Sequence, residues 1–342
     1  MGTNIRAASK DPLAYLSTIG HASSIESTRL PDVEFSVRAN VIHYDRFCAA
    51  IRKIATTHRR WRAMHGPRGL FLRGHTGTGK SSILRFYATK FERYETTEGP
   101  VIPVLYVVTP SRPTIKNLAQ AILKALGDKV PKRTAQEKTD HVAELLVMCR
   151  VELLIIDEFQ HFVDSGHLAE AKLTADWLKN LMEETKVAVV VSGLPQSIGI
   201  LQDNPQLTRR FSAHHEVRRF DWAVAEDRRE FAGVLKHMHG QLPLPCPSLH
   251  SSEIITRMYA ASAGVIDYVA KVIDGAVSLA FEHNKRQLSL PLFEQAFAEE
   301  VWSTAPPKLN PFNPNAELRD LVGADEPFWY LRSDVKKTAT GG

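Results

Sequence analysis

The stretch Gly74-His75-Thr76-Gly77-Thr78-Gly79-Lys80-Ser81 fits the pattern G-x-x-x-x-G-K-[ST], which is typical of loops that hold the phosphates of a nucleoside triphosphate. The glycines let backbone N–H groups turn towards a phosphate, because no Cβ stands in the way. Lys80 can then reach the β and γ oxygens, and the Ser81 hydroxyl is a natural ligand for Mg²⁺. The loop, together with Ser82 at the start of the following helix, predicts a binding site for ATP and Mg²⁺.

The segments around this loop predict an α/β fold of the P-loop NTPase type, with a parallel, doubly wound sheet. Residues 69–73 form a short apolar strand before the loop, and a helix whose N-terminus faces the anion opens at Ser82. Three more apolar runs, at 103–108, 151–158 and 187–193, alternate with helical segments, which is typical of parallel strands covered on both faces. Ligands of such sheets bind at the carboxyl ends of the strands, where Gly74, Asp157 and Ser192 all fall.

The composition changes after Phe220. Residues 222–300 contain no strand-like run and predict a small all-α lid domain, with helices at about 224–239, 249–262, 265–284 and 291–300. The remaining residues are rich in proline. The predicted organisation is an N-terminal arm at 1–37, an α/β domain at 38–221, the helical lid at 222–303 and a Pro-rich tail at 304–342.

The tail carries Phe328, Trp329 and Tyr330 within an extended, Pro-rich segment. Such aromatics either dock onto a partner or pack back onto the helical domain, and the sequence leaves both open.

Composition sets limits on partners and location. The 342 residues carry a formal charge of +5, with a pI of about 9.0, which permits a nucleic-acid partner without requiring one. The three cysteines are widely spaced, which favours a reduced, cytoplasmic protein over a disulfide framework. No apolar run approaches the ~18 residues that span a bilayer, so no membrane partner is expected.

Asp157 and Glu158 form the second chemical signal. A carboxylate at the tip of an apolar strand can hold Mg²⁺ through water, and its neighbour can polarise an attacking water. The alternative is a pair of acids that only solubilises a loop. The phosphate loop upstream favours the first interpretation, and a Glu beside the Asp favours hydrolysis.

Three further residues have weaker signals. Ser192 ends the next apolar run. Its hydroxyl can orient the attacking water or sense the γ-phosphate; the alternative is that Ser192 only forms part of a Ser-Gly turn. Arg209 and Arg210 precede the last strand. An arginine there either reaches the nucleotide of a neighbouring subunit or lies in a solvated basic turn.

Together these motifs resemble the AAA+ ATPases and, more narrowly, the TniB/TnsC group of ATP-dependent target-selection proteins of transposons. The resemblance covers about residues 38–300. The motifs that carry it are Gly-x4-Gly-Lys-Ser, Leu-Ile-Ile-Asp-Glu-Phe-Gln-His, Ser-Gly-Leu-Pro and Leu-x-Arg-Arg-Phe. The narrower resemblance also rests on Val41-Ile42-His43-Tyr44, on Thr109-Pro110-Ser111-Arg112-Pro113-Thr114, and on Leu242-Pro243-Leu244 with Pro247-Ser248-Leu249.

This resemblance implies further roles. His43 and Tyr44 match the positions that line the adenine pocket, Ser192 the first sensor, and Arg209 or Arg210 the finger that acts on a neighbour. The second-sensor region, Ala263-Gly264-Val265-Ile266-Asp267, lacks the arginine that many AAA+ proteins carry there. Its absence implies a slow ATPase that acts as a switch.

The resemblance also implies partners. Members of the group assemble as rings or spirals on duplex DNA and contact its backbone through residues after the second strand, without reading sequence. The matching cations, each of which also fits a solvated helix face, are Arg112, Lys116, Lys129, Lys132 and Arg133. A transposase and a TniQ-like targeting protein are the expected protein partners.

The function implied is an ATP-dependent transposition regulator that oligomerises on target DNA and recruits a transposase. Two alternatives stay open. One is an AAA+ replication initiator or helicase loader, which would need a DNA-reading module such as a helix-turn-helix. The other is a scaffold that uses nucleotide only to hold its shape.

Overall fold

The computed structural model describes residues 35–64, 68–128, 134–164, 168–202 and 205–332. They form two compact units. The first includes Arg46–Thr76 and Lys80–Val217, and the second includes the segment that ends at Asp45, Gly77–Gly79 and the chain from Arg218 onward.

A five-stranded sheet forms the centre of the first unit. In chain order the strands are β1 (Gly69–Arg73), β2 (Tyr94–Thr96), β3 (Gly99–Val101), β4 (Val104–Val108), β5 (Leu153–Asp157), β6 (Ala188–Gly193) and β7 (Ala213–Glu216). The spatial order of the sheet is β4-β5-β6-β1-β7, and every pair in it is parallel. β2 and β3 form a separate antiparallel hairpin. All five carboxyl ends therefore lie along one edge of the sheet.

Helices cover both faces of this sheet. They are α1 (Asp45–Met64), α2 (Lys80–Thr89), α3 (Ile115–Leu126), α4 (Ala135–Met148), α5 (His161–Asp164), α6 (Leu168–Thr185), α7 (Ile198–Gln202) and α8 (Pro205–Arg210). Alternate strand residues, such as Leu154 and Ile156, share a core with α3, α4 and α6. α2 packs against β4 and β5, and Phe86 of α2 meets Phe47 of α1 edge-on. The predicted doubly wound α/β fold is confirmed.

The second unit is helical. Its helices are α9 (Ala225–His239), α10 (Ser252–Ala260), α11 (Ile266–Glu282) and α12 (Leu290–Glu300). α11 and α12 pack closely because Gly275 has no side chain: a Cβ there would stand 3.2 Å from the Cβ of Ala296. Within the described part of the chain, every helix falls short of the length and apolarity needed to cross a membrane.

The C-terminal segment differs from the extended tail that its prolines predict. Phe312 and Phe328 are fully buried in the core of the helical unit, and Phe312 stacks on Phe293 with ring centroids 5.5 Å apart. The described residues 304–332 are therefore part of this unit. Val37, at the end of the predicted arm, is buried in the same core, and its N–H donates to Asp274 on α11. Residues 1–34 of the predicted arm and 333–342 of the predicted tail lie outside the described residues.

Two local predictions also need correction. The helix after the phosphate loop ends at Thr89 rather than near Tyr94, because the chain turns into the β2–β3 hairpin. The strand predicted at 151–158 ends at Asp157, because Glu158 has a φ of 57° and so leaves the extended conformation.

Candidate functional site

The phosphate loop connects the carboxyl end of β1 to the first residue of α2. Its first N–H, that of Gly74, donates to the carbonyl of Gly193 at the end of β6 (3.2 Å). The buried Lys80 ammonium donates to the carbonyls of Gly74 (2.8 Å) and His75 (2.9 Å), so the loop curls around this charge. Burial lowers the pKa of Lys80, and the nearby carboxylates of Glu158 and Asp157 oppose that shift.

Gly77 must be glycine for two reasons. Its φ of 79° is in the left-handed region, and a Cβ would stand 2.8 Å from Val265 and 2.9 Å from Asp267, which lie in the same unit. The Asp267 N–H also donates to the Gly77 carbonyl (3.1 Å). The predicted second-sensor segment thus contacts Gly77, within the second unit, through backbone and aliphatic groups. The Asp267 carboxylate is paired with Arg38 at 3.1 Å.

The two residues of the predicted adenine pocket belong to this second unit as well. The Tyr44 hydroxyl lies 3.5 Å from the point where a Cβ on Gly79 would stand. Tyr44 also packs on Phe220, with ring centroids 5.9 Å apart. His43 precedes it and is half-buried.

Asp157 ends β5 and is fully buried. One carboxylate oxygen accepts from the N–H of Glu158 (2.9 Å), and the other accepts from the hydroxyl of Tyr106 on β4 (2.8 Å). Arg85 on α2 donates to the same hydroxyl from Nε (3.2 Å). Burial, together with the Asp157 charge, raises the pKa of Tyr106 to about 12. The hydroxyl therefore keeps its proton at neutral pH.

Glu158 lies beside the phosphate loop. The Ser81 hydroxyl donates to one of its carboxylate oxygens at 3.5 Å, and the side-chain amide of Gln160 donates to the other. The structure therefore brings the predicted residues Lys80, Ser81, Asp157 and Glu158 together at one edge of the sheet. Sequence reasoning missed Tyr106 and Gln160.

Ser192 joins this edge from β6. It is fully buried, its carbonyl accepts from the Phe159 N–H (2.8 Å), and its hydroxyl has no hydrogen-bond partner within the described ranges. Thr109, just after β4, also has a buried hydroxyl without a hydrogen-bond partner within the described ranges. Buried polar groups are usually paired, so these two hydroxyls have spare capacity for a phosphate oxygen or a water.

The two predicted finger arginines differ in their surroundings. Arg210 pairs with Glu183 on α6 of its own chain, whereas Arg209 is exposed on α8. Among the predicted DNA contacts, Arg112 and Lys116 are exposed, in the loop before α3 and in its first turn. Lys129, Lys132 and Arg133 lie outside the described residues.

The donor set fits Mg²⁺ with a nucleotide. Mg²⁺ prefers oxygen ligands and usually binds through one or two carboxylates together with substrate phosphates and waters. Ser81 and Asp157 supply a hydroxyl and a carboxylate at the loop. No cluster of three or more His, Cys, Asp or Glu side chains that could hold a metal alone occurs among the described residues.

Comparison with known proteins gives a family and a fold. The family model described as "Bacterial TniB protein" matches residues 33–221, more than half of the chain. A search of curated proteins gives no match.

Three solved structures illustrate the likeness in fold. The ORC2 protein of Aeropyrum pernix, in ADPNP–ADP complexes, aligns with a TM-score of 0.57 at 13% identity, over 83% of this chain and 74% of its own. The ORC1 protein of the same organism, in complex with DNA, aligns with a TM-score of 0.56 at 17% identity, over 80% and 68%. Cdc6p of Pyrobaculum aerophilum aligns with a TM-score of 0.57 at 12% identity, over 82% and 74%. At these identities the likeness shows the fold alone, which is that of the AAA+ ATPases.

Proposed function

Because the chain belongs to the TniB family and has the AAA+ fold, we propose that it is an ATPase that assembles on duplex DNA and recruits a transposase there. The observation that carries the ATPase part is the convergence of Lys80, Ser81, Asp157 and Glu158 at the carboxyl edge of the sheet. A parallel sheet of this kind binds its ligands at that edge. A chance Gly-rich turn would not bring Asp157, the last residue of another strand, and the adjacent Glu158 to the loop.

The chemistry follows from these side chains. Lys80 neutralises charge on the β- and γ-phosphates, and the backbone N–H groups of the loop bind them. Mg²⁺, held by Ser81 and Asp157, would supply further positive charge for the phosphate oxygens. Glu158 accepts the proton of the attacking water, and the buried Ser192 hydroxyl orients that water or contacts the γ-phosphate.

Assembly completes the site in this proposal. An arginine from a neighbouring subunit neutralises charge that develops during hydrolysis, so the nucleotide state controls oligomerisation. Arg209 suits this role better than Arg210, because Arg210 is already paired with Glu183. The second-sensor segment offers no arginine, which fits slow turnover that disassembles a ring or filament. His43 and Tyr44 would contact the adenine.

The DNA part rests on family membership and on exposed charge. Arg112 and Lys116 would contact the phosphate backbone without reading sequence, and Lys129, Lys132 and Arg133 continue the basic sequence towards α4. A transposase and a TniQ-like protein are the proposed protein partners, and the cytoplasm is the proposed location. The likeness to ORC and Cdc6 proteins shows fold only, so it does not favour replication initiation.

The first test replaces Lys80 with alanine. The ammonium makes charge-assisted hydrogen bonds to phosphates, so its loss should weaken ATP binding by about 10- to 100-fold. Binding is measured directly with a fluorescent ATP analogue, beside a thermal melt. The control Lys124→Ala removes an exposed cation from α3 and should change nothing. Unchanged affinity in a folded Lys80→Ala protein would reject the nucleotide site.

The second test concerns DNA. The double variant Arg112→Ala and Lys116→Ala should weaken binding to unrelated duplexes about equally and reduce the log–log salt slope by up to ~2. The control Lys285→Ala and Arg286→Ala removes the same charge from exposed positions between α11 and α12. If both double variants lose DNA affinity equally, binding responds only to the net charge of the protein. If the salt slope of the Arg112→Ala and Lys116→Ala variant is unchanged, these two residues do not contact DNA and the DNA-binding surface lies elsewhere.

A further inference from the structure

The carboxylate of Asp157 is held from outside the phosphate loop by two side chains. The Tyr106 hydroxyl donates to it at 2.8 Å, and Arg85 Nε donates to that hydroxyl at 3.2 Å. The Arg85 guanidinium also lies 5.7 Å from the centroid of the Tyr106 ring. A series of hydrogen bonds thus connects three elements of the first unit, α2, β4 and β5. It begins at the exposed Arg85 and ends at the buried Asp157.

The sheet register explains this meeting. Tyr106 pairs with Ile155, so Asp157 is its diagonal neighbour on the same face of the sheet. α2 packs on that part of the sheet, and Arg85 follows Ser81 by four residues, one turn further along the helix. α2 therefore carries both Ser81, a proposed metal ligand, and Arg85, the first donor in this series of hydrogen bonds.

Two donors fix the Asp157 carboxylate. The Glu158 N–H binds one oxygen and the Tyr106 hydroxyl binds the other, so rotation of the carboxylate would break both hydrogen bonds. Without the hydroxyl, one oxygen of a fully buried acid would lose its donor. The carboxylate would then be able to turn.

We propose that Tyr106 is a positioning residue for Asp157, and that Arg85 acts through Tyr106. The proposal rests on the proposed function, in which Asp157 helps to hold the Mg²⁺ of ATP. Mg²⁺ demands near-ideal octahedral geometry, so it is sensitive to the orientation of its carboxylate. Removing a residue that orients a metal ligand typically lowers metal affinity or activity by 10- to 100-fold.

The test is Tyr106→Phe, which keeps the ring and removes one hydroxyl. Binding of a fluorescent ATP analogue is titrated with Mg²⁺. The Mg²⁺ concentration that gives half of the metal-dependent gain in affinity should rise by about 10-fold. Affinity without Mg²⁺ should not change, because the loop and Lys80 are intact. The control Tyr94→Phe removes a hydroxyl from the exposed hairpin and should leave the Mg²⁺ titration unchanged.

Arg85→Lys tests the second step. Lysine keeps the positive charge but lacks the Nε donor, so the variant should shift the Mg²⁺ titration in the same direction and by less. In the Tyr106→Phe background, Arg85→Lys should add nothing, because Arg85 acts through the missing hydroxyl. Fully additive shifts would overturn the proposed role of Arg85.

The outcomes separate this proposal from the proposed function. If the unaltered protein fails to bind the ATP analogue, the nucleotide site itself is rejected. If the unaltered protein binds it with a clear Mg²⁺ dependence and Tyr106→Phe gives the same titration, the positioning role is overturned and the site stands. A melt of each variant shows whether the variant is folded at the temperature of the titration. A structural role alone would lower the melting temperature without moving the Mg²⁺ midpoint.

Discussion

Replacing Glu158 with glutamine is expected to lower ATP turnover by at least about 100-fold while ATP still binds. Glu158 is the side chain that would accept a proton from the attacking water, and an amide cannot do so. A glutamine keeps the shape. Its carbonyl can accept from Gln160, and its amide can donate to the Ser81 hydroxyl, so both present contacts have a counterpart. The backbone strain at φ 57° is the same for either residue.

The measurement compares turnover and binding in the same preparation, with and without duplex DNA. If hydrolysis disassembles the oligomer, Glu158→Gln should also form longer-lived assemblies on DNA than the unaltered protein. The control is Glu184→Gln, an exposed position on α6. Full turnover in Glu158→Gln would show that Glu158 does not act in hydrolysis. If ATP binding is lost together with turnover, the substitution has disturbed the phosphate loop.

The central strands could be predicted because they consist of short aliphatic runs. A parallel strand covered on both faces needs such a run, and helices between the runs require parallel crossovers. The carboxyl-end rule then predicts that Asp157 and Ser192 lie near the loop, and the structure does bring them to the same edge.

The residues that hold the carboxylates could not be predicted in the same way. In the run Val104–Val108, a tyrosine is indistinguishable from a core aromatic. Its hydroxyl meets Asp157 only because of the register between β4 and β5, which no local pattern encodes. A tyrosine within an otherwise aliphatic strand is the one available signal. Gln160 likewise reaches Glu158 because the chain turns sharply after Asp157.

The C-terminal segment shows why composition can mislead. Proline favours irregular backbone, but irregular backbone can be buried if other side chains satisfy its polar groups. Arg257 on α10 donates to the carbonyls of Pro311 (2.6 Å) and Asn313 (3.0 Å). In return, Asn310 donates to the carbonyl of Glu294 on α12 (2.8 Å). These contacts hold Phe312 in the core although residues 310–318 themselves form no helix or strand.

Phe328→Ala is expected to destabilise the helical unit by about 3–5 kcal/mol, the usual cost of truncating a fully buried phenylalanine. Its ring meets Tyr268 of α11 edge-on, with centroids 5.0 Å apart, and its N–H donates to the Leu321 carbonyl. The melting temperature of this unit should fall by roughly 10 °C or more. A melt of the 342-residue chain measures this. A shift of only a degree or two would mean that the segment contributes little to the core.

The adjacent residue supplies the matched control and a test of recruitment. Trp329 is 61% exposed, so Trp329→Ala should change stability by no more than about 0.5 kcal/mol. Deleting residues 304–342 cannot separate a partner hook from a packing role, because the deletion also removes Phe312 and Phe328. Trp329→Ala can, since it alters only the surface. If this segment recruits the transposase, a pull-down with the transposase should fail for Trp329→Ala while ATP binding and the melt stay unchanged. If Trp329→Ala recovers as much transposase as the unaltered protein, Trp329 does not recruit it. The segment then has only the packing role that its buried aromatics already demonstrate.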